Sequence, residues 1–187
     1  MSHLVESWES LGVFMQALPP RARVLELGTL ATGPSRSTHH GAAILAASPG
    51  GEHVKSDFQA GYDVDVVADC HNLVGVFGEA SFDAVLAVSV WEHLARPWVA
   101  GDQVRRVLKP GGVALIVTHQ TFPLHGYPSD FFRFSTHALA VCFEGMEPVR
   151  LAYEFPCAIL QPREITEWDP RAPCFLNVTG LFRNPSC

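Results

Sequence analysis

The stretches FDAVLAVSVWEHL at residues 82–94 and RVLKPGGVALIV at residues 106–117 decide the fold of this chain. Each contributes to an almost wholly apolar run, at residues 84–89 and 113–118, which is typical of a strand covered by helices on both faces. Residues 96–108 predict a helix between the two strands, and the Lys-Pro-Gly-Gly sequence at residues 109–112 predicts its stop and a turn. Together these segments predict one βαβ unit of a parallel sheet, with the usual right-handed crossover.

Segments on either side of this unit also have the pattern of strands. They are residues 23–28, 52–57, 63–69, 147–155 and 174–183. Seven strands with short helices between them predict an α/β fold, a Rossmann-like and mostly parallel sheet with helices on both faces.

An amphipathic helix is predicted before the first strand, because apolar residues recur there at spacings of four and three. These residues are Leu4, Trp8, Leu11, Met15 and Leu18. Two prolines at positions 19 and 20 end the helix. We expect residues 1–21 to pack on the sheet edge or to form a lid over the active site, and residues 22–187 to form a single domain.

The composition excludes several classes of function. The net charge is −6 and the only lysines are Lys55 and Lys109, so a nucleic-acid partner is not expected. No apolar run approaches the roughly 20 residues that span a bilayer, so no membrane association is expected. The five cysteines are odd in number and form no CxxC pair, which indicates free thiols and a cytoplasmic protein.

The βαβ unit, with its Pro-Gly-Gly turn, resembles the second half of class I S-adenosylmethionine-dependent methyltransferases, in particular the type-11-like family. The phrase Tyr127-Pro-x-Asp130-x-x-Arg133-Phe resembles one subgroup of that family. The resemblance covers about residues 22 to 183 and implies S-adenosyl-L-methionine as the cofactor. It also implies that the last of the seven strands enters the sheet antiparallel to the others.

The first strand and its loop resemble the first motif of the family. In Val24-Leu-Glu-Leu-Gly28, Glu26 takes the position of the acidic residue and Gly28 that of the first glycine. The later glycines of the motif are missing or displaced, with Gly33 the next one in the loop. The G-x-G-x-x-G pattern of a dinucleotide site is absent, whereas a cofactor without phosphate needs only a close approach of the backbone.

The other cofactor residues follow later strands. Asp57 ends the second strand and is expected to accept hydrogen bonds from the ribose hydroxyls, with a solvated turn aspartate as the alternative. The resemblance places Asp69 against the exocyclic amine of adenine and Cys70 along the adenine slot. It places the backbone of Ser89 and Val90 against the methionine and adenosyl parts.

The acceptor is expected to bind after the fifth strand. Two histidines, a tyrosine, an aspartate, an arginine and four phenylalanines lie within residues 119–135, a mixture typical of a small-molecule pocket. Tyr127, Asp130 and Arg133 are candidate substrate ligands; alternatively, Asp130 pairs with Arg133 to cap the next helix.

Histidine is the natural base for a hydroxyl acceptor. His119 and His125 are therefore the candidate catalytic residues, with His93 in reserve, although the Glu92-His93 pair can equally be structural. No metal is predicted, because the spacing of His119, His125 and Asp130 matches no ligand motif.

Three functions remain open at this point. The first is methylation of a small molecule, on oxygen and by in-line transfer, for example in natural-product biosynthesis. The second is a catalytically weak methyltransferase fold that acts as a binding protein or partner subunit. The third is another Rossmann-like enzyme with a nucleotide cofactor. The loop before Cys174 is long enough for a substrate site or a subunit contact, which leaves a homodimer open.

Overall fold

The computed structural model of the chain describes residues 9–31, 40–126, 129–157 and 174–186. The strands are β1 (Arg23–Leu27), β2 (Glu52–Asp57), β3 (Val66–Val67), β4 (Phe82–Val88), β5 (Leu108–His119), β6 (Glu147–Cys157) and β7 (Cys174–Arg183). The α-helices are α1 (Glu9–Gln16), α2 (Gly41–Ala47), α3 (Leu73–Phe77), α4 (Pro97–Val107) and α5 (Thr136–Cys142).

The seven strands form one sheet in the order β3-β2-β1-β4-β5-β7-β6. Strands β1 to β5 pair in parallel, and β7 runs antiparallel to both of its neighbours. The predicted fold, including the antiparallel last strand, is confirmed. The strand order reverses between β1 and β4, and ligands of open α/β sheets bind at such a point, beyond the carboxyl ends of the strands.

Helices cover both faces of the sheet, and each face has its own apolar core. Phe14 of α1 and Ile44 of α2 are buried against one face. Residues of α4 and α5, including Val104 and Leu139, are buried against the other. In α1, the Ser10 hydroxyl lies 2.8 Å from the Thr179 hydroxyl of β7, which fixes this helix on the sheet; Leu4 and Trp8 lie outside the described residues.

The βαβ unit differs in detail from its prediction. Helix α4 has a proline at its first position, where the missing N–H costs nothing. The Pro-Gly-Gly turn does not precede β5 but lies inside it, because Leu108 already pairs with Phe82 before the register shifts. Gly111, with φ +79°, makes that irregularity, and its N–H donates to the carbonyl of Asn184 at 2.9 Å.

The third strand is shorter than predicted, with only Val66 and Val67 in the ladder. The residues before it are held by Lys55 instead, whose N–H donates to the Asp65 carboxylate at 2.9 Å. Asp63 has φ +61°, which breaks an extended run. None of the helices among the described residues combines the length and the apolar character that a bilayer crossing requires.

Candidate active site

The carboxyl ends of β1 and β4 form a crevice that only glycine permits. Gly28 follows β1 with φ +76°, and a Cβ on it would lie 2.3 Å from the Val90 side chain. The Gly28 N–H donates to the carbonyl of Ser56 at 2.8 Å, so the loop turns across the end of β2. The structure thus brings Gly28 and Val90 together, and the remainder of the glycine loop, residues 32–39 with Gly33, lies outside the described residues.

Asp57 lies at the same edge, at the end of β2, and is 9% exposed. Its carboxylate accepts hydrogen bonds from the backbone N–H groups of Leu30 and Gln59, each at 3.2 Å. These two donors orient the carboxylate beside the loop that follows Gly28. They leave lone pairs of both oxygens for a ligand, because a carboxylate accepts about four hydrogen bonds.

Asp69 and Cys70 follow β3. The exposed Asp69 carboxylate accepts hydrogen bonds from the N–H of His71 at 2.8 Å and its Nδ1 at 2.7 Å, and caps a short 3₁₀ turn, Cys70–Asn72. These bonds outweigh burial and lower the pKa of Asp69. Burial raises the pKa of the Cys70 thiol to about 12, with the carboxylates of Asp69 and Asp57 acting in the same direction. The Cys70 thiol is therefore uncharged near neutral pH and contributes a buried, apolar surface.

Ser89 has a strained backbone at the carboxyl end of β4. Its φ is +56°, in the left-handed region that non-glycine residues rarely adopt. Its N–H donates to the carbonyl of Val117 at 2.8 Å, which holds the strained residue against β5. Backbone strain of this kind is concentrated at functional sites.

Glu26 lies inside β1 and is 2% exposed. Its carboxylate accepts hydrogen bonds from the N–H of His40, at 2.9 and 3.0 Å, and lies 2.7 Å from His40 Nδ1 and 2.8 Å from His53 Nε2. Burial opposes ionisation, but these contacts outweigh it and lower the pKa of Glu26 to about 2. Glu26 thus has partners of its own at both oxygens.

Glu92 is the centre of a second cluster, in the 3₁₀ turn Trp91–His93 that follows β4. It is fully buried, and its Oε2 accepts a hydrogen bond from the Thr118 hydroxyl at 2.7 Å. Its Oε1 faces His119, His125 and His93, whose Nε2 atoms lie 3.0, 3.5 and 3.8 Å away. Burial raises the pKa of Glu92, but His119, in its protonated form, and the Thr118 hydroxyl outweigh burial and lower it.

Each of the three imidazoles makes a hydrogen bond through Nδ1, the ring nitrogen that does not face Glu92. The acceptors are Asn177 Oδ1 for His119 at 3.1 Å, the Pro123 carbonyl for His125 at 3.2 Å and the Ser129 carbonyl for His93 at 2.6 Å. Because these oxygens can only accept, Nδ1 carries the proton in each ring. In the neutral form of each ring, Nε2 therefore presents a lone pair to the centre of the cluster.

The three histidines differ in their access to solvent. The side chains of His93 and His125 are each 28% exposed, whereas that of His119 is 8% exposed. Phe122 stacks on the His119 ring at 4.1 Å between centroids. Phe122 is itself exposed and also contacts the His125 ring, so the cluster has an apolar rim.

Asp130 and Arg133 hold the loop that carries His125. The Arg133 guanidinium donates to the Asp130 carboxylate at 2.8 Å and to the Pro123 carbonyl at 3.0 Å, and Asp130 also accepts the His125 N–H at 2.9 Å. The pKa of Asp130 is lowered, chiefly by Arg133 and then by the His125 N–H. The pair forms, but Ser135 rather than Asp130 caps α5. Tyr127 lies outside the described residues.

Sequence reasoning missed Asn177 and Thr118 as parts of the site, and it did not place Glu92 at the centre. Asn177 is on β7 and pairs with His119 across the antiparallel ladder. The contact between His119 and Asn177, which are 58 residues apart, depends on the register of β5 against β7. No local sequence pattern predicts that register. The one available signal is a polar residue between the apolar positions of each strand, as at Thr118 and Asn177.

Residues 25–116 match the family model of the methyltransferase domain. Over 40 residues the chain is 45% identical to an uncharacterized methyltransferase of Mycolicibacterium vanbaalenii; the match covers 21% of this chain and 16% of that relative. This chain therefore spans only a small part of the curated relatives that it matches.

Two solved structures show the same fold over most of the chain. One is the complex between the Haloferax volcanii Trm112 methyltransferase activator and a methyltransferase, with 18% identity, coverage of 96% and 90% and a TM-score of 0.64. The other is the 1,6-didemethyltoxoflavin-N1-methyltransferase of Burkholderia thailandensis with bound 1,6-didemethyltoxoflavin and S-adenosylhomocysteine, with 18% identity, coverage of 96% and 75% and a TM-score of 0.62. The sheet order and the match over residues 25–116 confirm the predicted resemblance to the class I S-adenosylmethionine-dependent methyltransferases.

Proposed function

We propose that this protein transfers the methyl group of S-adenosylmethionine to an oxygen of a small-molecule acceptor, by in-line displacement. The observation that carries this proposal is the continuity of the two halves of the site. Val90 closes the crevice over Gly28, and two residues later Glu92 gathers three imidazoles at the same edge of the sheet. A cofactor site and an acceptor site would thus share one short segment of chain.

The residues of the first half fit the cofactor. Gly28 permits the tight turn at the end of β1 with its φ of +76°, and the Asp57 carboxylate is oriented by two N–H donors. Asp69 and the neutral Cys70 would receive adenine, and the backbone of Ser89 and Val90 the methionine part. The role of Glu26 would be indirect, through His40 beside the glycine loop. When bound, the sulfonium supplies an activated methyl group and its own leaving group.

The second half would bind and orient the acceptor. The apolar rim would exclude water around a bound acceptor, which favours an aligned reaction between acceptor and methyl carbon. His93 and His125 are the histidines that an acceptor reaches, because their rings are partly exposed. The buried His119 would act as a positioning residue, and Asp130 and Arg133 would hold the substrate loop rather than bind substrate. Tyr127 is a further proposed substrate ligand.

Related structures support a small-molecule acceptor. The Burkholderia enzyme was solved with 1,6-didemethyltoxoflavin, a small molecule that it methylates. A partner-subunit role is the second candidate, since the Haloferax methyltransferase was solved in complex with an activator. A homodimer and a cytoplasmic location remain predictions; residues 158–173, the candidate contact loop, lie outside the described residues.

Labelled S-adenosylmethionine tests the proposal. The full chain is incubated with labelled cofactor and a panel of phenols, hydroxy acids and heterocycles, and we expect transfer to at least one oxygen acceptor. Calorimetry with S-adenosylhomocysteine and with NAD is the parallel measurement. Cofactor binding without any transfer would favour the partner-subunit role, and binding of NAD alone would contradict the proposal.

Two variants test the cofactor residues. Asp57→Ala and Asp69→Ala should each lower S-adenosylhomocysteine affinity by a factor of about 5 to 150, since each loses hydrogen bonds worth roughly 1–3 kcal/mol. Asp102→Ala is the control, because Asp102 pairs with Arg105 on the surface of α4. Unchanged affinity in both folded variants would overturn the assignment.

A further inference from the structure

The Oε1 atom of Glu92 is a buried charge that accepts no hydrogen bond from the described residues. Glu92 is fully buried, and no aligned donor reaches Oε1 from the part of the chain that the structure describes. Its other oxygen is satisfied by the Thr118 hydroxyl. A buried, ionised oxygen without a partner is costly, so such an atom calls for a positive group close by.

The histidines around Oε1 do not supply that group in their neutral form. The Nδ1–H groups of His119 and His125 donate to Asn177 Oδ1 and to the Pro123 carbonyl, so in the neutral rings the Nε2 lone pairs face the carboxylate at 3.0 and 3.5 Å. Lone pairs that face a carboxylate repel it. A cation at the centre would turn all of these contacts into attraction.

The geometry matches a metal site. One ligand atom from each of Glu92, His119 and His125 lies within 4.8 Å of the others. Nitrogen and oxygen ligands lie roughly 2.0–2.2 Å from Zn²⁺, so tetrahedral ligands are roughly 3.3–3.6 Å apart. The oxygen acceptors behind Nδ1 are the partners that histidine ligands of metals ordinarily have.

We propose that Glu92, His119 and His125 bind a divalent transition-metal ion of the Zn²⁺ class. Two imidazoles and one carboxylate leave at least one coordination position open, as in catalytic rather than structural metal sites. The open side faces the partly exposed His125 and His93. His93 lies farther from Oε1 than the other two histidines and stays outside the set of ligands.

The site has a consequence for the acceptor, and this step rests on the proposed methyl transfer. An acceptor oxygen in the open position would lose its proton more easily, because a metal ion lowers the pKa of a bound hydroxyl. His93 would then be the imidazole free to take that proton. Its Nδ1 is fixed by the Ser129 carbonyl, which leaves Nε2 as the acceptor.

Metal titration of the full, tag-free chain tests the proposal without any methyl transfer. After treatment with a chelator and dialysis, the chain is titrated with Zn²⁺ by calorimetry and with Co²⁺ by visible absorption. We expect one ion per chain, micromolar or tighter affinity for Zn²⁺ and a cobalt spectrum of nitrogen and oxygen ligands. A sulfur-to-cobalt charge-transfer band would place the ion on thiols such as Cys157 and Cys174, 3.4 Å apart, and would overturn the assignment.

Variants identify the ligands. Glu92→Gln and His125→Ala should each weaken Zn²⁺ binding at least a hundredfold, while His137→Ala, on the exposed surface of α5, should leave it unchanged. His125 lies on a loop, so its variant should keep the fold even if Glu92→Gln does not. Absence of stoichiometric binding in the wild type, or full affinity in folded His125→Ala, would overturn the proposal. The labelled-cofactor assay stays independent: methyl transfer by the metal-free chain would contradict only the part of the metal in activating the acceptor, and metal binding without any transfer would contradict only the proposed function.

Discussion

Two buried glutamates, Glu26 and Glu92, each lie among histidines, but their surroundings differ. We call the group around Glu26 the closed cluster and the group around Glu92 the open cluster. Around Glu26, ring nitrogens lie at 2.7 and 2.8 Å and a backbone N–H adds a third donor group. Around Glu92, three rings approach one oxygen at 3.0 to 3.8 Å, and none is aligned as a donor. The closed cluster satisfies its charge from within the chain.

The difference separates a structural role from a binding role. A buried carboxylate that is fully hydrogen-bonded stabilises the fold around it and has little left for a ligand. A buried carboxylate with one unpartnered oxygen weakens the fold unless something else binds there. Stability is commonly sacrificed in this way at functional sites, and Glu92 fits that pattern.

Matched substitutions should show the largest effect. Glu26→Gln should lower the free energy of unfolding by about 3–5 kcal/mol, because it removes a buried charge from its partners. Glu92→Gln should change the free energy of unfolding by less than about 1 kcal/mol, since the amide still accepts from Thr118 and can donate to Nε2 lone pairs. Urea denaturation in the presence of a chelator measures both. Equal losses would show that the two clusters are not different in kind.

Acid should weaken the closed cluster. The folded pKa of Glu26 is about 2, below the ordinary value of 4.5, so its contribution is present above pH 4.5 and is lost as the pH falls toward 2. A shift of this size corresponds to about 3 kcal/mol. The difference in unfolding free energy between wild type and Glu26→Gln should therefore shrink between pH 4.5 and 2. A difference that stays constant over this range would contradict the closed cluster.

Catalysis should depend on the open cluster. His93→Ala and His125→Ala should each lower turnover of an identified acceptor about a hundredfold or more, as removal of a general base or a substrate-orienting group does. S-adenosylhomocysteine affinity should survive in both, because both histidines contact Glu92 and the loop of residues 123–129 instead of Gly28 or Asp57. Normal turnover in both variants would place the acceptor elsewhere. His137→Ala again serves as the control.

The sequence was sufficient for the sheet but not for the open cluster. Apolar runs such as residues 84–89 predict buried strands because a strand between two helical layers must be apolar on both faces. The position of Asp57 follows from the same logic, since it ends a strand. The role of Glu92 depends on Thr118, Asn177 and Pro123, which reach it or its histidines from β5, β7 and a loop. Local patterns carry no information on such distant contacts.

The smallest predicted effect concerns the loop that closes the open cluster. Gly126 has φ +65°, and a Cβ on it would lie 2.2 Å from Cε1 of His93 and 2.8 Å from its Nδ1. Gly126→Ala should therefore displace either the His93 ring or the loop, and weaken the hydrogen bond between His93 and the Ser129 carbonyl. We expect turnover to fall about tenfold, which corresponds to about 1.4 kcal/mol in the activation free energy.

Gly50→Ala is the matched control for that loop substitution. Gly50 has φ +73°, so alanine there meets a similar backbone cost, about 1 kcal/mol of stability, but its Cβ would lie 3.4 Å from the flexible side chain of Arg21. Both variants should lose similar stability in urea, and only Gly126→Ala should lose turnover. Because the backbone cost is common to both, a difference in turnover isolates the contact with His93. If both variants kept full turnover, the His93 ring would not need its present position, and the open cluster would not be the acceptor site.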